Sequence, residues 1–140
     1  MEKYQAITAC VFLHRDGKLF IAKRADVKKF LPGKYELIGG HIEFGETIED
    51  GLKREISEEL GIEAIVKNPF HVFTYISENE NKHSVEIDYF AKMADPTQKI
   101  KLNSEDHSDY RWISEDEIDK YFQDGDAEKI AVRKGFKLLT

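Results

Sequence analysis

The sequence predicts an α+β protein in which a mixed β-sheet lies between helices. Stretches rich in apolar and β-branched residues alternate with turn signals, and other segments combine helix caps with apolar residues at helical spacing. The order along the chain is strands, helix, strands, helices. With 140 residues the chain is long enough for one hydrophobic core, so we expect a single domain over residues 1–140.

The first two strands are predicted to form a hairpin. Residues 5–14 carry apolar side chains on both alternating sets of positions, which indicates a strand covered on both faces. Asp16 and Gly17 then supply a turn, and residues 18–24 return as the second strand.

A loop and a short strand are predicted between this hairpin and the first helix. Proline and glycine mark residues 25–35 as the loop, and residues 35–38 form a strand that runs into Gly39 and Gly40. Paired glycines give the backbone freedom to bend before the helix, and they allow a backbone group to approach a ligand closely.

The first helix is predicted over residues 48–60. Thr47 is a suitable N-cap, Asp50 is a weaker partner for a capping box, and Gly61 fits the position that follows the last helical residue. These start and stop signals bracket the segment on both sides.

The second half of the chain is predicted to return to the sheet and to end in helices. Ser114 and Glu117 form a capping box for a helix that extends to about Phe122, and apolar residues at helical spacing predict a last helix over 126–139. Three strands precede these helices, at residues 64–76, 83–93 and 109–113, the first two as a long hairpin.

The composition limits the partners of the protein. An apolar share of 41%, a charged share of 34% and a net charge of −6 are typical of a soluble protein and weigh against a nucleic-acid partner. No apolar run approaches the roughly 20 residues of a membrane span, and no signal peptide is evident, so we expect a cytoplasmic protein without a membrane partner. The single cysteine, Cys10, fits a reducing compartment and is expected to be a buried strand residue.

Three glutamates of the predicted helix lie on one edge of it: Glu55, Glu58 and Glu59, here called the helix carboxylates. At about 100° per residue they fall within one arc, beside an apolar stripe that would dock the helix on the sheet. Like charges this close destabilise a helix, although acidic helix faces are common on protein surfaces. A hard divalent cation would use these oxygens as ligands, so the pattern also predicts a metal site.

The residues around the helix carboxylates resemble the signature of the Nudix (MutT-like) hydrolase family. The pattern is Gly, five residues, Glu, seven residues, Arg-Glu, an aliphatic residue, any residue, Glu-Glu, any residue, Gly and an aliphatic residue. Every spacing is kept at Gly40, Glu46, Arg54, Glu55, Ile56, Glu58, Glu59, Gly61 and Ile62. The resemblance implies the α/β/α sandwich of that family and a Mg²⁺- or Mn²⁺-dependent hydrolase that cleaves phosphorus-containing acid anhydrides in nucleotides.

The resemblance also implies roles for individual residues. The helix carboxylates look like metal ligands, with a carbonyl of Gly39 or Gly40 as a further ligand. Arg54 and Glu46 look like a structural pair. Gly61 looks like a further structural position of the same signature. The general base varies within the family, so four candidates remain open: Glu55 and Glu58 in the helix, and Glu105 and His107 before the last strand.

Substrate contacts are less clearly indicated. Arg24 resembles a family position that contacts phosphates, and His41 follows the paired glycines. A nucleobase platform could come from strand aromatics, although such residues belong to a core more often than to a pocket. The available aromatic residues are Phe73, Tyr75, Phe90 and Trp112.

The sequence leaves several functions open. The leading hypothesis is a pyrophosphohydrolase of nucleoside triphosphates, and hydrolysis of nucleotide sugars, ADP-ribose or dinucleoside polyphosphates is an alternative. A nucleotide-binding module without catalysis is a second class. An isomerase of the isopentenyl diphosphate type needs a suitably placed cysteine, for which Cys10 is a poor candidate. The sequence does not determine the oligomeric state, and a homodimer remains open.

Two positions depart from the usual family pattern. Many members have proline before the paired glycines, where this chain has Ile38, and a small alanine is frequent where it has Gly51. Glycine in a helix costs about 1 kcal/mol relative to alanine. Neither change removes a predicted metal ligand.

Overall fold

The computed structural model describes residues 2–27, 33–77, 79 and 81–139. The middle of the predicted 25–35 loop and parts of the predicted turn after residue 76 lie outside these residues. Over the described part of the chain the strands are β1 (Tyr4–Arg15), β2 (Lys18–Arg24), β3 (Tyr35–Glu36), β4 (Ile38–His41), β5 (Ala64–Ser77), β6 (Lys82–Met93) and β7 (His107–Ile113). The α-helices are α1 (Ile48–Leu60), α2 (Ile118–Tyr121) and α3 (Ala127–Leu138), and a 3-10 turn (Glu115–Glu117) precedes α2.

The strands form a mixed sheet with β1 near its centre. The strand order is β3-β2-β1-β6-β5, with β4 also paired to β1 and β7 also paired to β2. Strands β1 and β6 are parallel, and the other pairs are antiparallel. The predicted hairpin of β1 and β2 is present, but only two residue pairs form its ladder: His14 with Leu19 and Arg15 with Lys18.

Helices cover both faces of the sheet, as predicted. On one face α1 packs on β1 through a core that includes Ala9, Leu52 and Ile56. On the other face Phe12 belongs to a second core, together with Val132 and Phe136 of α3. Because odd and even residues of β1 point to opposite faces, this strand contributes to both cores. The result is the predicted α+β sandwich.

The two ends of α1 agree with its sequence signals. Thr47 Oγ1 accepts a hydrogen bond of 3.1 Å from the backbone N–H of Asp50, which makes one half of the weak capping box. Gly61 ends the helix with φ of +67°, and its N–H donates to the Ser57 carbonyl at 2.9 Å. A left-handed conformation suits glycine because it has no Cβ.

Gly39 and Gly40 do not form the predicted bend. The predicted strand at 35–38 is divided into β3 and β4, and Gly39 and Gly40 lie inside β4, opposite Cys10 and Ala9 of β1. Glycine is needed at these two positions because neighbouring atoms approach the β4 backbone closely. A Cβ on Gly39 would lie 2.0 Å from the Ala9 carbonyl oxygen, so no side chain fits there.

Three other boundaries differ from the prediction. Strand β7 begins at His107 rather than at residue 109, because its pairing with β2 continues beyond a bulge to Arg24. The capping box of Ser114 and Glu117 is present, but it opens a 3-10 turn before the short α2 instead of a continuous helix. The last helix begins one residue later than predicted, with Asp126 as its N-cap.

Candidate active site

Arg54 is the centre of the site at the α1 face, and Glu46 is its main partner, as the resemblance implied. Arg54 Nη2 donates to Glu46 Oε1 at 2.7 Å, and Arg54 Nε donates to Glu46 Oε2 at 3.2 Å. Glu46 Oε1 also accepts the backbone N–H of Glu43 at 2.8 Å. This two-point bond joins the loop before α1 to the helix itself. The Arg54 guanidinium and the Glu43 N–H hold the pKa of Glu46 below its usual range.

Arg54 also reaches two of the helix carboxylates. Its Nη1 donates to Glu55 Oε1 at 3.0 Å and to Glu58 Oε2 at 3.4 Å. Its Nη2 also donates to the carbonyl of His41 at 3.1 Å. One guanidinium therefore ties the end of β4 to the acidic edge of α1 and offsets the repulsion between the carboxylates.

Glu55 lies against Gly40. A Cβ on Gly40 would come within 2.5 Å of the Glu55 carboxyl group, so the absence of a side chain makes room for that group. Burial raises the pKa of Glu55, Arg54 opposes this effect, and Glu58 and Asp106 add to it. Gly40 thus has a steric role that the sequence pattern could not show.

Glu58 and Glu59 differ in exposure although they are consecutive. The side chain of Glu58 is 59% exposed, whereas Glu59 is buried. Glu59 Oε1 lies 3.9 Å from His107 Nδ1, and His107 Nε2 is hydrogen-bonded to Glu36 Oε2 at 2.8 Å. His107 is itself buried, so both ring nitrogens face carboxylates inside the protein.

Arg24 joins the same network from the end of β2. Its Nη1 donates to both oxygens of Glu36, at 3.1 and 3.3 Å, and its backbone is paired with His107. A series of polar contacts therefore runs from the sheet to the helix, through Arg24, Glu36, His107 and Glu59. His41, the other predicted substrate contact, is exposed at the end of β4.

The loop before β7 packs on the C-terminal end of α1. The N–H of Asn103 donates to the carbonyl of Glu59 at 3.0 Å, and the N–H of Ala25 donates to the carbonyl of Asp106 at 2.9 Å. Glu105 is exposed in this loop. Asp106 lies near enough to influence the pKa of Glu55. The sequence analysis missed Asp106, although it singled out both of its neighbours.

A second acidic cluster lies on the opposite face of the sheet, and the sequence analysis missed it as well. Cys10 of β1 and Glu86 and Asp88 of β6, here called the sheet cluster, have potential ligand atoms within 4.8 Å of one another. Among the residues that the structure describes, the helix carboxylates do not form such a compact group. The alternation of acidic and apolar residues at 85–89 was an available signal, because alternate residues of a strand share a face.

Comparisons with known proteins agree with this architecture. The family model described as NUDIX domain matches residues 3–132. A nucleoside triphosphatase NudI of Escherichia coli O139:H28 is 29% identical over 125 residues, which cover 84% of this chain and 87% of the relative. A NudI protein of Shigella flexneri is similar to the same extent.

Solved structures show the same fold. The MutT protein of Methanosarcina mazei Go1 has a TM-score of 0.79 and 22% identity, covering 98% of this chain and 96% of that protein. A MutT NUDIX hydrolase of Burkholderia pseudomallei has a TM-score of 0.76 and 24% identity, covering 94% and 98%.

The chain belongs to the NUDIX family and is a MutT-like Nudix hydrolase. The bonds that it hydrolyses are pyrophosphate bonds, which are phosphorus-containing acid anhydrides. A search of the described residues for a helix of suitable length and hydropathy to cross a membrane found none.

Proposed function

We propose that this protein is a Mg²⁺- or Mn²⁺-dependent pyrophosphohydrolase of a nucleoside triphosphate or of a related nucleoside diphosphate derivative. The observation that carries the proposal is the arrangement of the helix carboxylates beside Gly40 and Arg54. The relatives described as nucleoside triphosphatases favour the triphosphate within this substrate class.

The residues at this site fit a hard divalent cation. The donors are carboxylate oxygens, together with the backbone carbonyls of Gly39 and Gly40, and such oxygens are the preferred ligands of Mg²⁺. We assign Glu55, Glu58 and Glu59 as the holders of the ion. Glu55 keeps its place because Gly40 lacks a Cβ, and Glu59 because it is buried beside His107. When bound, the cation supplies charge neutralisation for the phosphates and acidifies the attacking water.

Arg54 and Glu46 act by positioning the helix carboxylates. Arg54 Nη1 lies within hydrogen-bond distance of both Glu55 and Glu58, so it sets the separation of their carboxyl groups. Glu46 fixes the other side of the guanidinium with two bonds. This support keeps like charges together before any ligand arrives.

The general base is assigned to the helix carboxylates. Glu55 is favoured because its carboxyl group lies against Gly40, beside the proposed ion, and Glu58 is the exposed alternative. Glu105 remains the loop candidate because its side chain is exposed. His107 is better suited to orient Glu59, because it is buried and both ring nitrogens face carboxylates.

The substrate phosphates need cationic partners. We assign this role to Arg24, whose guanidinium remains 20% exposed while it is bonded to Glu36, and we keep His41 as a second candidate. Arg24 is the last residue of β2 and His41 is the last residue of β4, and both strands run toward the helix carboxylates. Arginine suits phosphate because its planar group can donate two parallel hydrogen bonds.

One screen tests the proposed function. Purified protein with Mg²⁺ or Mn²⁺ is incubated with nucleoside triphosphates, nucleotide sugars, ADP-ribose and dinucleoside polyphosphates, and the products are separated. We expect metal-dependent release of phosphate or pyrophosphate from a triphosphate, and reaction in ¹⁸O-water identifies the phosphorus attacked. Thermal stabilisation by nucleotides without any product would contradict the proposal and support a binding module instead.

A further inference from the structure

The sheet cluster is separate from the helix carboxylates. In the parallel pairing of β1 with β6, Asp88 lies beside Cys10, and Glu86 lies beside Thr8. These side chains point to the face that bears Phe12 and α3, whereas Ala9 and Val11 point to α1. The sheet itself therefore stands between the two acidic groups.

The sheet cluster contains buried polar atoms that lack partners. Asp88 is fully buried, and neither of its carboxyl oxygens has a hydrogen-bond partner in the described structure. The same holds for Glu86 Oε2. Leaving such groups unpaired costs about 1–3 kcal/mol each, and more when the group is charged. A proton or a cation would remove this cost.

Two further carboxyl groups lie close enough to the sheet cluster to affect its protonation. Glu128, at the start of α3, raises the pKa of Asp88, and Glu36 raises that of Glu86 in addition to the effects of burial and of Asp88. Glu128 accepts a hydrogen bond from the backbone N–H of Leu37, and its ion pair with Lys34 is long, at 4.0 Å. The described surroundings of the sheet cluster therefore include the carboxyl groups of Glu36 and Glu128.

We propose that Cys10, Glu86 and Asp88 form a binding site for a thiophilic divalent cation of the Zn²⁺ class, distinct from the catalytic centre. A thiolate with two carboxylates is a ligand set that Zn²⁺ accepts, whereas Mg²⁺ takes oxygen ligands. The ligand atoms lie within 4.8 Å of one another, which suits a single ion. Cys10 is half-buried as a residue.

Binding at this site must release protons. The Cys10 thiol loses its proton to become a thiolate, and Glu86 loses its carboxyl proton, so the entering cation replaces two protons. Burial, followed by the charges of Glu86 and Asp88, raises the pKa of Cys10 in the protein without the ion. The affinity for the cation is therefore expected to increase with pH.

The test uses Co²⁺ as an optical probe on the full chain, after EDTA treatment and in excess Mg²⁺ that occupies oxygen sites. Thiolate bonded to Co²⁺ gives a charge-transfer band in the near ultraviolet. The chain has only one cysteine, so that band can come only from Cys10. We expect a saturable band that Zn²⁺ abolishes, that is absent in Cys10→Ser, and that requires at least about tenfold more Co²⁺ in Asp88→Asn.

Two further variants distinguish binding at the sheet cluster from binding at the helix carboxylates. Glu59→Gln, which changes the helix carboxylates, is expected to keep the band, and Glu86→Gln keeps the thiol while removing one ligand. Circular dichroism checks that each variant is folded. A wild-type protein without the band at alkaline pH, or a Glu86→Gln variant with unchanged Co²⁺ affinity, would overturn the proposal.

Discussion

The two acidic groups on opposite faces of β1 are neutralised in different ways. On the α1 face, Arg54 donates hydrogen bonds to Glu46, Glu55 and Glu58, so a side-chain cation offsets the negative charge. On the α3 face, the sheet cluster has no such cation among its described neighbours within hydrogen-bond distance. Burial and Asp88 raise the pKa of Glu86 to about 9 instead, and burial raises the pKa of Asp88 to about 6.

This difference shows why a motif reveals one group and not the other. Arg54 and the helix carboxylates are close in sequence, since a helix brings residues three and four apart onto one edge. The sheet cluster comes from two strands that are more than 70 residues apart in the chain. Burial raises the affinity of its carboxyl groups for protons, an effect that leaves no trace in the sequence.

The largest expected effect concerns the α1 face. Glu59→Gln should lower kcat for a nucleoside triphosphate about 100-fold or more, because the buried carboxylate that we propose as a ligand of the cation becomes neutral without a change of shape. Steady-state kinetics in Mg²⁺ measures the loss. Glu49→Gln, on the exposed first turn of the same helix, is the matched control and should retain the wild-type rate. Full activity of Glu59→Gln would exclude Glu59 as a required ligand.

A smaller loss of activity is expected when Arg54, whose guanidinium supports the helix carboxylates, is altered. Arg54→Lys keeps the charge but removes the two-point bond to Glu46, so activity should fall about tenfold. The Mg²⁺ concentration for half-maximal activity should rise with it. Lys53→Arg, the opposite exchange at the exposed neighbour, controls for the change of residue type. Unchanged kinetics in Arg54→Lys would show that charge alone is sufficient.

The sheet cluster predicts a dependence of stability on pH in metal-free protein. The pKa of Glu86 is raised in the folded state to about 9, above the value of about 4.3 expected for the unfolded chain. Its contribution to folding is therefore complete below that unfolded value and is lost as pH rises toward 9. The melting temperature should fall by several degrees between neutral pH and pH about 9.

Substitution of Glu86 checks the cause of that pH dependence. Glu86→Gln keeps the size of the side chain and removes its titration, so the fall in melting temperature with pH should become flatter. Glu49→Gln, an exposed carboxylate change, should leave the wild-type slope intact. An equally steep slope in Glu86→Gln would assign the effect to another group.

The smallest effect is expected at Gly51, where the family often has alanine. Alanine gains about 1 kcal/mol of helix propensity. Its Cβ would lie 2.6 Å from Ile42 Cδ1 and 2.9 Å from Glu46 Oε1, so two side-chain ends must move. We expect Gly51→Ala to change the free energy of unfolding by less than about 1 kcal/mol in urea titrations. A loss of several kcal/mol would show that Glu46 is held more rigidly than its exposure suggests.

The sequence predicted the elements that depend on local signals. Thr47 and Gly61 set the bounds of α1, and the helical spacing of Glu55, Glu58 and Glu59 placed them on one edge. The resemblance also implied a pairing of Arg54 with Glu46, and hydrogen bonds of 2.7 and 3.2 Å join the two side chains. The metal and the general base remain proposals.

The sequence was less informative where contacts join distant strands. Gly39 and Gly40 appeared to be a bend, but β4 pairs with β1 in the tertiary structure, and the glycines are needed because Cys10 and Glu55 approach so closely. Likewise, His107 was predicted to lie in the loop before the last strand. The pairing of β7 with β2 buries it between Glu36 and Glu59.

The sequence by itself determined the family, the helix and the residues that crowd its edge, because a helix converts short spacing into proximity. Only the tertiary structure decided which of those carboxylates is buried, where Asp106 lies, and that Cys10 meets Glu86 and Asp88. The physical reason is that strand pairing joins residues far apart in the chain, and burial then changes their protonation.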